Sequence, residues 1–353
     1  MLDILERAGG ITVRYHVPYD ELRSPHVAES ARRDVSAAVP GGRGALCASH
    51  PASCLALSEA AARAGAEVVR GISDVRVSAC AAPSVSFGID GPPHTFQAAL
   101  VIGSDGRTSS VRAQAGIPLH KARASHLICG LLVEGDIGWP QDSYSVGTED
   151  DVMFFVFPQS EGRLRLYCCT ALDQRSRFAG ADGPRHFLEA FSRLSCLPYA
   201  GAISQTKAIG PCATLGGEDS WTDPPFNPGV ALIGDAAGYN DPIIGQGLSL
   251  AMRDVRVLSE ILLAGEDWSP ARLQSYADER RERMRRMRFT ATLVAALRSE
   301  FGPEARERRR RFGMRLQQGD DPELKFALAA TSAGPDGMPA FAFEESMRAK
   351  VLL

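Results

Sequence analysis

The spacing of apolar positions changes along this chain, and each change marks an element. "CLALSEAAARAGAEVVRGI" is Ala-rich from Cys54 and broken at Gly65, which predicts a helix followed by a short strand through Val68 and Val69. Next, "SVSFGID" and "HTFQAALVIGSDG" flank the turn "GPP", as a hairpin would. The second run becomes wholly apolar at Leu100, Val101 and Ile102, the pattern of a strand buried on both faces. Between Ser125 and about Pro211, the runs "HLICGLLVEG", "DVMFFVFPQ" and "RLRLYCCT" are short and separated by turn residues. They predict a mainly antiparallel layer, with one helix near "RHFLEAFSRL". "VALIG", from Val230, returns to the buried-strand type. Leu248, Met252, Val255, Leu258 and Leu262 then fall on one helix face, and Arg253, Asp254, Arg256 and Glu260 on the other. Beyond Gly265 the chain reads as helical, opening on the Ser-Pro signal of "SPARLQSYADERRERMRRMR".

Composition narrows the class. The 353 residues are 44% hydrophobic and 23% charged, enough for one large or two moderate domains. A net charge of -3 gives no bias toward nucleic acid or anionic membrane, and apolar runs such as "FTATLVAAL" are too short to span a bilayer. "MLDILERAGG" lacks the apolar core of an export signal, so a cytoplasmic protein is expected. Eight cysteines, Cys47, Cys54, Cys80, Cys129, Cys168, Cys169, Cys196 and Cys212, show no C-x-x-C pair or zinc spacing and read as buried free thiols, with no metal expected. The runs "RRERMRRMR" and "ARERRRRFGMR" are interspersed with acids and read as solvated helix faces. Phe154, Phe155, Phe157 and Tyr167 fit either an aromatic substrate pocket or ordinary sheet packing. Neither a G-x-S-x-G elbow nor a Walker-type loop occurs.

The chemistry concentrates in "VALIGDAAGYNDPIIGQGLSLAMRD". Asp235 follows a buried strand, where a carboxylate repels bare phosphate and suits a hydroxyl such as that of ribose or ribityl. Gly245 and Gly247 leave backbone N–H groups uncovered at a helix start, suited to phosphate or to the polar edge of a flat heterocycle. The stretch Gly234–Asp254 resembles the second FAD motif of the aromatic hydroxylase type of flavoprotein monooxygenases, the para-hydroxybenzoate hydroxylase family. "LVIGSDGRTSSVR", Leu100 to Arg112, resembles that family's Asp-Gly motif, and a weaker likeness covers most of residues 45 to 265. The resemblance implies that Gly234 and Asp235 serve the ribose region of FAD and that Pro242 lines the flavin. It implies that Gly245, Gln246 and Gly247 present backbone to the isoalloxazine, and that Asp105, Gly106 and Arg107 support FAD and the nucleotide path. The implied activity is that of an FAD-dependent monooxygenase, with NADPH or NADH as reductant. Molecular oxygen would be passed through a flavin hydroperoxide to a small hydrophobic or aromatic substrate. A reductase or halogenase of the same superfamily, or a non-catalytic flavoprotein remnant, is the alternative; no W-x-W-x-I-P stretch supports the halogenase.

Two departures from the pattern stand out. The family opens on a strand and G-x-G-x-x-G, with an acid about 20 residues on, and this chain shows neither; its start at Met1 is therefore read as misplaced or truncated. His50 stands about where relatives carry an FAD-contacting arginine and reads as a helix-start histidine. The expected fold is α/β, α+β overall: an incomplete Rossmann-like FAD-binding domain over residues 1–120 and 228–265 with its first βαβ unit missing. An inserted antiparallel substrate domain would span residues 121–227 and a helical region residues 266–353. Assembly is left open, a homodimer being one alternative.

Overall fold

A computed structural model describes residues 1–38, 41–89 and 91–353. Asp90, the last residue of "SVSFGID", lies outside the described residues. The chain divides into two compact units, Met1–Val68 with Ala124–Gly217 and Thr292–Leu353, and Val69–Arg123 with Glu218–Ala291. The units cut across the expected ranges, because residues 1–68 pack with the large sheet.

The first unit is built on a seven-stranded sheet. Its order is Lys207–Gly217, His126–Glu134, Arg163–Thr170, Val152–Gln159, Ser143–Glu149, Tyr15–Val17 and Arg33–Asp34. The expected antiparallel layer supplies its first five strands. Tyr15–Val17 joins in parallel, pairing Tyr15 with Ser143 and Val17 with Ser145. Alternation sorts the side chains. Cys129, Leu131, Phe154, Val156, Leu166 and Cys168 face a core closed by Phe187 and Phe191 of the helix Gly183–Ser192 and by Ile203 of Ala200–Ser204. The register sets Cys129 and Phe154 on either side of Cys168, so Phe154 is core packing, and Cys168 and Cys169, both buried, leave the strand in opposite directions. C-terminal helices Pro303–Gln318 and Glu345–Leu352 bear out the helical expectation.

In the second unit, Val101–Gly103 and Val230–Leu232 run parallel, Val101 opposite Val230 and Gly103 opposite Leu232, with Phe226–Asn227 antiparallel beyond them. Val101, Val230 and Leu232 turn to Val111, Ile117 and Ala236, whereas Ala231 turns to Phe226, Leu258, Leu273 and Tyr276. Both faces of Val230–Leu232 are thus buried, which is why "VALIG" has no polar alternation. Strands Ser73–Ser78, Ser84–Gly88 and His94–Gln97 make a separate antiparallel sheet, so the hairpin at "GPP" forms as expected.

Several local expectations need correction. Val68 and Val69 form no strand and are exposed, since they follow the helix His50–Arg63 without a sheet to join. Ile102 is 42% exposed rather than buried on both faces, because Val101–Gly103 is the last strand of its sheet. On the helix Gly247–Leu263 the buried positions are Leu250, Asp254 and Leu258, while Leu248 and Val255 are exposed. The stripe is rotated from the apolar one because a buried ion pair draws Asp254 inward. Cys54 and Cys80 are exposed thiols. No helix among the described residues is long and apolar enough to cross a membrane.

Candidate functional site

The strand Val230–Leu232 ends at a turn made of Gly234–Ala237. Gly234 has φ +56 and Gly238 φ +115. A Cβ on Gly238 would stand 2.5 Å from the Ser220 carbonyl oxygen and from Trp221 Cα, so the chain can pass there only as glycine. This sharp turn leaves its carbonyls facing inward, and a buried guanidinium collects them. Arg280, from the helix Pro270–Arg298, donates to the carbonyls of Gly234 (3.1 Å), Ala237 (3.1 Å) and Gly238 (3.0 Å) and to Asp254 Oδ2 (3.1 Å). Asp254 accepts in turn from the Gly234 N–H at 2.8 Å and from Arg283 at 2.6 Å. Asp254, Arg280 and Arg283 are 0%, 3% and 4% exposed, and Glu279 supplies the second negative charge 3.0 Å from Arg283, so the turn is fixed by desolvated charges whose signs balance. The reading of "RRERMRRMR" as a solvated face therefore fails at these two arginines, although Arg281, Arg285 and Arg286 do pair with acids nearer the surface.

The Asp-Gly segment is tied to the same turn. Arg112, itself buried, donates to the Ala236 carbonyl at 2.8 Å and to the Arg107 carbonyl at 3.2 Å. Asp105 accepts from Ser109 Oγ (2.5 Å) and from the N–H groups of Ser110 (2.7 Å) and Val111 (3.1 Å), capping the helix Ser110–Gln114. Partial burial opposes its charge, but these bonds prevail and hold the carboxyl below its ordinary range. Gly106, at φ +81, turns the chain so that the Arg107 guanidinium lies 3.6 Å over the Tyr239 ring. Tyr239 donates to Glu218, and burial, reinforced by that acid, raises its phenol above the ordinary range.

Beyond the turn, Pro242–Ile244 makes a tight 3-10 turn whose Ile243 N–H is capped by Asp241. Gly245, in the left-handed region at φ +64 and with its N–H donated to the Pro242 carbonyl at 2.9 Å, carries the chain to Gln246, the cap position of Gly247–Leu263. That helix begins with no side-chain cap, and nothing stands within 4 Å of a Cβ on Gly245 or Gly247. Open backbone donors at a helix N-terminus suit an acceptor edge. Asp235, half-buried, hydrogen-bonds no partner among the described residues through its carboxylate. An acceptor-only side chain beside an uncovered glycine edge fits the hydroxyls and the flat polar rim of the flavin end of FAD. His50 begins its helix, with the Cys54 thiol 3.7 Å away, as the helix-start reading expects.

The structure thus gathers Gly234, Asp235, Pro242, Gly245, Gln246 and Gly247 into one continuous segment and brings Arg107 beside it through Tyr239. It places the Asp105 carboxylate on its own helix. Sequence reasoning missed Arg112, Asp254, Arg280 and Arg283. Helical spacing gave no signal for Asp254, which falls on the polar face of its helix in the sequence.

The FAD binding domain family matches residues 50–290. Among curated proteins the chain is 26% identical over 257 residues to ubiquinone hydroxylase UbiL of Rhodospirillum rubrum, covering 69% of this chain and 57% of that protein. It is 30% identical over 206 residues to 3-demethoxyubiquinol 3-hydroxylase of Escherichia coli, covering 54% and 47%. The chain spans about half the length of these curated relatives. Among solved structures, p-nitrophenol 4-monooxygenase PnpA from Pseudomonas putida shares its fold, with a TM-score of 0.74 at 19% identity over 94% of this chain and 84% of that one.

Proposed function

We propose that this chain, which belongs to the FAD binding domain family, acts as an FAD-dependent monooxygenase on a small hydrophobic or aromatic molecule, with NADPH or NADH as reductant and molecular oxygen as oxidant. The carrying observation is the pairing of an unpartnered Asp235 carboxylate with the uncapped helix start at Gly247, beside a turn held in place by the Arg280 clamp. FAD supplies the redox chemistry when bound. The chain's own residues orient it: Asp235 accepts from hydroxyls, Gly247 donates its backbone N–H at the helix start, Pro242 offers an apolar wall, and Arg107 with Gly106 supports the nucleotide path. Cofactor binding is assigned to the unit holding the clamp.

Substrate contact is assigned to the sheet unit. There Phe155, Phe157 and Tyr167 project from the face opposite the core, Phe157 stacking with Tyr144 at 5.5 Å. The names of the curated relatives, hydroxylases of quinone-type rings, support a flat ring as the substrate class. Titrating the purified chain with FAD tests the reading. The expected result is quenched flavin fluorescence and a blue-absorbing band that NADPH or NADH bleaches and air restores. A chain that stays colourless in excess FAD overturns it.

A further inference from the structure

Asp219 sits just before the Ser220–Trp221 strand and is 6% exposed. Its Oδ1 accepts two hydrogen bonds from the segment leading into Pro242: Asn240 Nδ2 at 2.5 Å and the Asp241 N–H at 2.9 Å. Asp241 caps the Ile243 N–H at 3.0 Å, so one carboxylate anchors the segment from Asn240 to Ile244. Two facts are unusual for a purely structural anchor. Asp219 and Asp241 are buried acids side by side, with Arg288 of the helix Pro270–Arg298 as the cation acting on Asp219. In addition, the Asn240 Oδ1 atom is buried with no hydrogen-bond partner.

An amide has one acceptor end and one donor end. While Asp219 is charged it can only accept, so it must face the Asn240 NH2 group, and the Asn240 carbonyl is left over. A neutral Asp219 carries an O–H that can donate to the Asn240 carbonyl once the amide turns over, and the leftover atom is then a donor. We propose that Asp219 is a positioning residue for the Asn240–Gly245 segment, and that protonation of its carboxyl turns the Asn240 amide and reverses the hydrogen-bonding polarity left unpaired beside Pro242. Burial, reinforced by Asp241, pushes the carboxyl up to about 6, against the opposing pull of Arg288 and the hydrogen bonds from Asp241 and Asn240. The exchange therefore falls within reach of physiological pH. Glu218, which neighbours Asp219 in sequence, is engaged by the Tyr239 hydroxyl. The relevance to flavin rests on the function proposed above, whereas the proton-linked switch stands on the apoprotein.

Hydrogen exchange of the apoprotein in steps from pH 5.2 to 7.2, corrected for intrinsic rates, tests the switch at the Asp241 and Ile243 amides. The wild-type chain is expected to show protection at Asp241 changing at least threefold across that interval, with an inflection near 6. Asp219→Asn is expected to abolish the inflection while keeping the fold. A flat wild-type profile overturns the proposal without help from any variant, and so does an inflection that survives in Asp219→Asn. An FAD titration at the two ends of that pH range separates the readings. Exchange that switches in a chain that never binds FAD removes the cofactor reading and leaves this one, and FAD binding with flat exchange does the reverse.

Discussion

Replacing Arg280 by Met removes four hydrogen bonds at one stroke, three to carbonyls of the Gly234–Gly238 turn and one to Asp254. Methionine fills much of the volume, so the loss is electrostatic rather than a cavity. Breaking a buried ion pair by deleting one partner costs about 3–5 kcal/mol. Arg283 still holds Asp254 at 2.6 Å, which places the expected cost near the lower end, about 3 kcal/mol. With an unfolding entropy of about 2.1 cal/mol/K per residue over 353 residues, this is a fall of roughly 4 °C in melting temperature. The same helix supplies the control. Arg285 pairs with Glu282 where both side chains are about half exposed, so Arg285→Met should cost under about 1 kcal/mol. Urea titrations of both variants give the comparison. Equal midpoints for Arg280→Met and Arg285→Met would refute the claim that desolvated charge, and not mere salt-bridge count, fixes the turn.

Two further outcomes follow from the sheet unit. His16 is held neutral, its pKa lowered to about 3 from 6.5 by burial and by the charges of Arg298, Arg33 and Arg23. The folded state therefore resists its proton. The stability this gives is complete above pH 6.5 and drains away as pH falls toward 3, so a His16→Phe chain should lose about 2–3 kcal/mol less than wild type between pH 7 and 4.5 in urea unfolding; parallel slopes would exclude the idea. Gly147→Ala drives a Cβ into the Tyr19 carbonyl and to 2.7 Å from the Phe154 ring, and should destabilise by roughly 3 kcal/mol or more. Gly201→Ala, in the helix Ala200–Ser204 with open space around it, should stabilise by about 0.5–1 kcal/mol, and the thermal shifts of the two variants must therefore differ in sign.

The parts of the fold legible in the sequence are those in which burial and period agree. "DVMFFVFPQ" and "RLRLYCCT" became strands because their alternate residues meet one core. Tyr15–Val17 went unread because three residues carry too little alternation to separate a strand from a loop, and its pairing to Ser143–Glu149 is set by contacts far away in sequence. Val68 and Val69 show the reverse error, strand-forming residues with no neighbouring strand to pair with. At the turn, Gly234 and Gly245 could be read because each sits at positive φ, where glycine alone turns freely. Asp254 and Arg280 could not. A charge on a helix face reads as solvated until its partner is known, and the partner stands 26 residues further along a run of charges.

Arg112 carries a consequence for how such a site can change. Its guanidinium spans Arg107 and Ala236, so two stretches more than a hundred positions apart share one donor, and each is the other's scaffold. Neither stretch is a transplantable module. A graft of the Gly234–Asp254 segment into another protein would carry its glycines and acids but leave the Ala236 carbonyl without the guanidinium that orients it, and a recombination event between the two would inherit half of a geometry.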